Sequence, residues 1–457
     1  MLQLVWLTAM EQFLLLIYEI GLSVLLLLLG PFLLLNRKAR AGLSQKLGFI
    51  ESGLAMRLGK LNRPTWFHAV SVGEFNAAWP FIQAYQKRFP DKDIVISTTT
   101  ATGQALAKER AGRMATIIYF PFDLPWIVSK WLDLIDPELV CIMETELWPS
   151  FMEACRRRNL SVVMLNGRLS PRSFQRHKLI EPLSAPMLRK FALIGAQTQA
   201  EAKRYRTIGG DYLPVAVFGN LKYDGLAILD SIQVANLASE LNISNGDLVL
   251  VAGSTHDGEE SLALDVLDKF RQAPENRAKP LKLIIAPRHP ERFELVADLI
   301  GKRGYSVKRH SLGQAFKDRS DVFLLDTIGS LSKFYAVASV AFVGGTLARV
   351  GGHNLVEPYA YSVPVVCGPS LYKTRDIANT LMESNALRIG RNRLEVEQLL
   401  LSLLTQKDLQ EAIGRCGRAW LQDNQGATER ALQSIEPLVE ARKQTASTKR
   451  KAEKTTV

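Results

Sequence analysis

The chain reads as an α/β protein of two Rossmann-like domains with a deep interdomain cleft, preceded by an N-terminal membrane-anchor helix. Three observations predict this. Residues 13–35 are apolar apart from Glu19, with Gly21 and Pro31 inside the stretch. Short β-rich runs then alternate with longer amphipathic ones, the pattern of a parallel sheet covered by helices. The alternation occurs twice, in a chain of 457 residues that is too long for one compact core. The expected boundaries are 1–36 for the anchor, 37–221 and 222–440 for the two domains, and 441–457 for a basic disordered tail.

For the anchor, about 20 apolar residues suffice to cross a bilayer, although a glutamate in lipid is costly. Residues 1–35 hold no Lys or Arg, whereas Arg37, Lys38 and Arg40 follow at once. The positive-inside rule then keeps the rest of the chain in the cytoplasm. A helix lying in the interface plane is the alternative. No basic residue precedes the apolar run and no small-residue cleavage site follows it, so it is no secretory signal.

The formal charge of +12 is concentrated in two places. Residues 36–63 carry seven Lys/Arg against one Glu, and residues 441–457 six against one. The body between them is nearly neutral. Such placement suits an anionic membrane surface rather than a nucleic-acid groove, with a solvated end as the other reading of the tail. Cys141, Cys155, Cys367 and Cys416 are scattered, which argues against a zinc site or a disulfide framework.

Candidate strands of the first domain are 66–70, 94–98, 116–119, 139–143, 162–165 and 192–196. The first runs into Ser71-Val72-Gly73-Glu74, where glycine permits a tight turn and the carboxylate lies at the ligand end of the sheet. Glu74 is either a general base for a hydroxyl or an acid favouring the N-terminus of the next helix. The fourth delivers Met143-Glu144-Thr145-Glu146-Leu147-Trp148-Pro149. If extended backbone persists through Thr145, both glutamates share one face. They then stabilise developing positive charge on a sugar ring, or serve as solvated acids at a helix start. Arg168 after the fifth strand and Lys222 at the domain junction are cations suited to an anionic substrate.

Candidate strands of the second domain are 248–252, 281–286, 322–325, 340–343 and 363–367. Ala286-Pro287-Arg288-His289-Pro290 makes a rigid turn that aims Arg288 at the crevice, as phosphate binding requires. Asp326-Thr327-Ile328-Gly329-Ser330 is expected to open a helix whose amides suit a phosphate. In Gly344-Gly345-Thr346 and Gly351-Gly352-His353-Asn354-Leu355-Val356-Glu357-Pro358, glycines let amides approach a ligand. A helix from about His353 would face a phosphate, with Glu357 on ribose hydroxyls. His289 and His353 are loop donors rather than metal ligands, because no other ligands cluster with them. No G-x-G-x-x-G follows the first strand of either half, and the P-loop, H-E-x-x-H and G-x-S-x-G patterns are missing.

In this order the segments resemble the bacterial 3-deoxy-D-manno-octulosonic acid (Kdo) transferase family of lipopolysaccharide biosynthesis over nearly the whole chain. The motifs are 71–74, 143–149, 253–255 with 258–260, 287–293 and 342–358. The resemblance implies the two-domain glycosyltransferase architecture called GT-B, with an acceptor-binding domain followed by a CMP-sugar-binding domain. It implies CMP-Kdo as donor, the lipid A precursor lipid IVA as acceptor, and the cytoplasmic face of the inner membrane as the place. Glu74 matches the family's general base for an inverting attack. Glu144 and Lys222 match transition-state stabilisers, with Glu146 the substitute for Glu144 should the register slip. Pro287, Arg288, Ile328, Gly329, Ser330, Asn354, Leu355, Val356 and Glu357 match CMP-contacting segments. No obligatory metal, other cofactor or nucleic acid is expected. The competing readings are a membrane-associated GT-B enzyme using a UDP-sugar, a related sugar epimerase, and an inactive membrane-tethered scaffold.

Overall fold

The computed structural model describes residues 2–35, 40–226, 228–276 and 279–454. The chain forms two compact units, Met1–Gly225 with Gln425–Val457, and Leu226–Asn424.

The first unit holds seven parallel strands: β1 (Thr65–His68), β2 (Ile94–Thr98), β3 (Thr116–Tyr119), β4 (Leu139–Met143), β5 (Ser161–Gly167), β6 (Leu193–Ala196) and β7 (Val215–Val217). Their order is β3-β2-β1-β4-β5-β6-β7. Thr65 on β1 is in register with Ile94 on one side and Leu139 on the other. The central strands are buried on both faces, which is why they read as unbroken apolar runs. Helix Pro125–Ile135 shows how the covering layer forms. Proline opens it, Ile127, Val128, Trp131, Leu132 and Ile135 fall on one buried face, and Asp136 ends it in the left-handed region. Truncating Trp131 to alanine would cost about 3–5 kcal/mol.

The second unit also holds seven strands: β8 (Leu248–Thr255), β9 (Leu281–Pro287), β10 (Ser306–Arg309), β11 (Asp321–Leu324), β12 (Val340–Val343), β13 (Val365–Cys367) and β14 (Leu387–Ile389). The order is β10-β11-β9-β8-β12-β13-β14, again all parallel. In each sheet the first strand lies between its successor and a later strand, which makes switch points at β1/β4 and β8/β12; the second sheet also exchanges the places of β10 and β11. Such switch points open a crevice at the carboxyl ends of the strands.

The N-terminal helix runs Leu2–Leu35, and Met10–Gly30 is long and apolar enough to cross a membrane. Phe13, Leu27, Leu28 and Phe32 on it are exposed. Its acids are not left bare: Glu11 pairs with Lys190 at 2.6 Å, and Glu19 accepts from the Ser150 hydroxyl at 3.4 Å. Arg37 and Lys38 lie outside the described residues.

Two expected boundaries move. Residues 425–440 pack with the first unit, where Ala427, Ala431, Leu432, Ile435 and Val439 are buried in its core. Asp224 secures the return, accepting from the amides of Gly426 at 2.7 Å and Thr428 at 2.5 Å. Helix Ala427–Lys454 carries the backbone through residues 441–454, most of which are good helix formers such as Ala, Lys, Arg, Gln and Glu.

Candidate functional site

At the β1/β4 switch point stand Glu74, Glu144, Glu146 and Lys222. Glu74 lies in the first turn of helix Val72–Arg88, whose N-cap Ser71 accepts from the Glu74 amide. Its carboxylate folds back, accepting from the Val70 amide at 2.8 Å and the Ser71 hydroxyl at 3.2 Å. The helix-start geometry read from the sequence is thus present, in a residue that also faces the crevice. Gly73 makes no tight turn; it sits inside this helix, and its φ is not positive. Burial first, and then the charge of Glu144, push the Glu74 carboxyl above its ordinary value, while the bonds from the Val70 amide and the Ser71 hydroxyl, and the charge of Lys222, pull it down.

The 143–149 segment departs from expectation. β4 ends at Met143, and Glu144 takes φ +56°. Extended backbone does not persist, so the two glutamates are not placed by strand alternation. A non-glycine residue in this region costs about 1–2 kcal/mol unless its surroundings hold it there. They do: the Glu144 amide donates to the Leu165 carbonyl at 2.8 Å, and Thr145 donates to the Arg168 carbonyl at 2.6 Å. The strained turn brings the Glu144 carboxylate to 3.2 Å from Lys222 Nζ. Glu146 is pushed up to about 7, first by burial and then by Glu74 and Glu144. Trp148 packs on Phe120 rather than joining the acids.

Asn166 escaped the sequence reading as a site residue. It is buried at φ +56°, and its side-chain carbonyl accepts from the Leu221 amide at 3.0 Å, fixing the segment that carries Lys222. The Asn166-Gly167 pair after the predicted strand 162–165 was the available signal, because Asn enters the left-handed region more readily than most residues.

Because Lys222 lowers the Glu74 carboxyl and neutralises Glu144, Lys222→Met should raise the Glu74 value. A rate that needs ionised Glu74 falls as pH drops through that value. The acid limb of kcat/KM in the variant should lie at higher pH than in wild type; a limb that stays put would separate Lys222 from Glu74.

In the second unit a cavity of about 190 Å³ opens at the carboxyl ends of β8 and β9, lined by Ser254, Pro287, Arg288, Ile328, Gly329 and Glu357 among others. Pro287 is the last residue of β9, and the Arg288 amide donates to the Thr255 carbonyl at 3.0 Å, so the guanidinium starts from a fixed backbone. Burial raises the Glu357 carboxyl, and the Asn354 amide holds it at 2.9 Å. Ser330 stands behind the cavity, taking a hydroxyl bond from Thr327 at 3.3 Å. Leu355 and Val356 do not line it; both are buried in the apolar core. Ser254, at φ +54° where the β8/β9 register shifts, also lines the cavity; it falls within the 253–255 motif, though it was not named as a site residue from the sequence.

The glycine segments also differ from expectation. The amides of Gly345, Thr346, Leu347 and Ala348 all donate to the buried carboxylate of Glu259, at 2.8–3.2 Å, as does the His256 amide at 2.8 Å. An internal acid fills the nest that would otherwise cradle an anion. No helix begins at His353: Gly351 and Gly352 have φ +98° and +84°, and only a 3-10 turn, Glu357–Tyr361, follows. The helix after Ser330 is a single turn, Leu331–Phe334. Among the described residues no group of three or more His, Cys, Asp or Glu is placed to hold a metal ion.

The family model described as 3-deoxy-D-manno-octulosonic-acid transferase (kdotransferase) matches residues 41–225. The 3-deoxy-D-manno-octulosonic acid transferase of Haemophilus influenzae is 34% identical over 377 residues, covering 82% of this chain and 87% of that protein. The transferase of the same name from Bordetella pertussis is 29% identical over 382 residues, with the same two coverages of 82% and 87%. Among solved structures, a glycosyltransferase from Rickettsia africae aligns with TM-score 0.53 and 12% identity, over 83% of this chain and 99% of that one. A UDP-GlcNAc 2-epimerase from Neisseria meningitidis aligns with TM-score 0.53 and 13% identity, over 81% and 98%. At such identities these two structures show the fold alone, which is the GT-B arrangement of two parallel-sheet domains.

Proposed function

The chain belongs to the 3-deoxy-D-manno-octulosonic acid transferase family, a glycosyltransferase family, and from that premise we propose that it moves Kdo from CMP-Kdo to lipid IVA with inversion. The observation that carries the mechanism is the half-buried Glu74 carboxylate, with its value raised, beside Glu144 and Lys222 at the β1/β4 switch point. A base with a raised value accepts a proton readily near neutral pH.

In this reading Glu74 takes the proton of an acceptor hydroxyl. That oxygen bonds to the anomeric carbon as the bond to the CMP phosphate breaks, and CMP leaves with the electron pair. Attack opposite the leaving group inverts the centre in one step. Glu144, anchored by Lys222, sets negative potential for the cationic character that develops on the sugar. Arg288 takes the charge growing on the phosphate, and Glu357 accepts from ribose hydroxyls. Arg288 supplies this stabilisation as a fixed cation, so the mechanism needs no divalent ion. The reading places the enzyme on the cytoplasmic side of the inner membrane; the apolar helix Met10–Gly30 supports a membrane anchor, and with it access to a lipid acceptor.

A donor panel tests the substrate assignment. CMP release from CMP-Kdo should depend on added lipid IVA, and UDP-sugars in its place should release no UDP. Release from a UDP-sugar, or none from CMP-Kdo in a chain that binds CMP, would refute the pairing. Arg288→Ala should raise the KM for CMP-Kdo by about 10- to 100-fold, the loss of a charge-assisted phosphate bond. An unchanged KM would remove Arg288 from the donor site.

A further inference from the structure

Next to Arg288 lie two histidines that the mechanism does not use. His256 and His353 meet ring to ring, Nε2 to Nε2, at 2.8 Å. The rings are coplanar within 2°, with centroids 5.1 Å apart. The arrangement is built into the fold. A Cβ on Gly345 would come within 2.8 Å of the His353 ring, and Gly345 has φ +69°, so only glycine admits the pair. The His256 amide is tied to Glu259.

The surroundings are cationic. Arg288, Arg292 and His289 act on both rings or on His256, and Lys373 acts on His353. The carboxylate nearest His256, Glu259, is occupied by five backbone amides. Arg292 is neutralised by Glu260 and Asp257, and no carboxylate pairs with either ring of the dyad among the described residues. Burial, with the positive charges of His256, Arg288, Lys373 and His289, pushes His353 down to about 4; burial also lowers His256, where Glu259 raises it and His289, Arg292 and Arg288 lower it. The unliganded pair is therefore neutral at physiological pH.

A neutral pair joined through Nε2 offers one Nδ1–H donor, on the ring that accepts, and one bare Nδ1, on the ring that donates. A single added proton on that bare nitrogen converts it into two donors and one positive charge, which suits an oxyanion. We propose that His256 and His353 form, beside Arg288, a subsite for an anionic group of the donor and take up one proton as that group docks. The ligand class is a phosphate or a carboxylate, both of which a CMP-linked sugar acid carries. The inference rests on the donor reading above.

The proton balance gives the sign. An anion raises the pair's affinity for a proton, so binding at pH 7.5 draws one from solvent. Binding weakens as pH rises through the bound-state value, by up to about tenfold per pH unit. Histidine 15N NMR on the full chain reads this directly, because the chain has six histidines. His68, buried and held to about 3, supplies a neutral reference. His256→Gln and His353→Gln assign the two resonances.

At pH 7.5, adding CMP, or CMP-Kdo to the Glu74→Gln chain, should convert one of the two rings to imidazolium, while cytidine should not. Conversion by CMP identifies the phosphate as the partner; conversion by CMP-Kdo alone identifies the carboxylate. In parallel, His353→Gln should weaken binding of the converting ligand about tenfold at pH 6.5 and flatten its pH dependence, leaving cytidine binding unchanged. CMP and CMP-Kdo that bind while both rings stay neutral overturn the dyad and leave the donor reading intact. CMP and CMP-Kdo that do not bind overturn both.

Discussion

Glu74→Gln should lower lipid-IVA-dependent release of CMP from CMP-Kdo by about 10²-fold or more, with little change in thermal stability. Glutamine preserves the size of the side chain and can still accept from the Val70 amide, so the helix start survives. What it cannot do is take a proton. Removing a general base at this scale corresponds to about 2.7 kcal/mol on the barrier. The two roles of Glu74 separate because an acid in the first turn of a helix contributes only about 0.3–1 kcal/mol of stability, felt in Glu74→Ala as a lowered Tm. A Glu74→Gln chain with undiminished turnover would move the base to Glu146 or Glu144. A Glu74→Gln chain that is both inactive and unstable would leave the helix start as the reason, which the Tm decides.

Glu259→Ala should destabilise the second unit by about 3–5 kcal/mol and remove CMP binding with it. The carboxylate is 1% exposed and accepts five amides, so its loss strands those donors in the core of the loop that leads to His353 and Glu357. Breaking a buried charge away from its partners costs several kcal/mol because the partners stay desolvated. Hydrogen exchange locates the effect: the amides of residues 345–348 should lose at least about 10²-fold of their protection, while β1–β6 of the first unit should not change. Protection retained at those four amides would mean that water substitutes for the carboxylate.

The central strands were legible because a parallel sheet buried on both faces leaves nearly uninterrupted apolar runs; β2, β4 and β12 fall where the sequence puts them. β7, β10 and β14 were not. They are edge or near-edge strands of three or four residues, and Ser306–Arg309 has no apolar run to see. Arg288 and Glu357 were readable as site residues because proline turns and strand ends are local signals. The glycine loop was misread for a non-local reason. Its amides have the geometry of an anion nest, but Glu259, which occupies the nest, comes from the start of another helix and is brought in only by the β8/β12 pairing. Glu144 is similar, since its turn is held by bonds to the β5 strand and the loop after it. The return of residues 425–440 escaped notice because a helix's apolar stripe does not say which sheet it covers.

That return has a consequence for the order in which the protein is made. The second unit is an insertion: roughly 200 residues separate Gly225 from the segment at Gln425 that finishes the first unit. At about 5–20 residues per second, a ribosome takes on the order of 10–40 s to cross them. For that time the first unit exists without Ala431, Leu432 and Ile435 over its sheet, and without the chain that Asp224 will grip. The inserted unit, contiguous in sequence, can close before its host does. A nascent chain stalled at Asn424 should therefore protect the second unit from protease while the first remains open to cleavage.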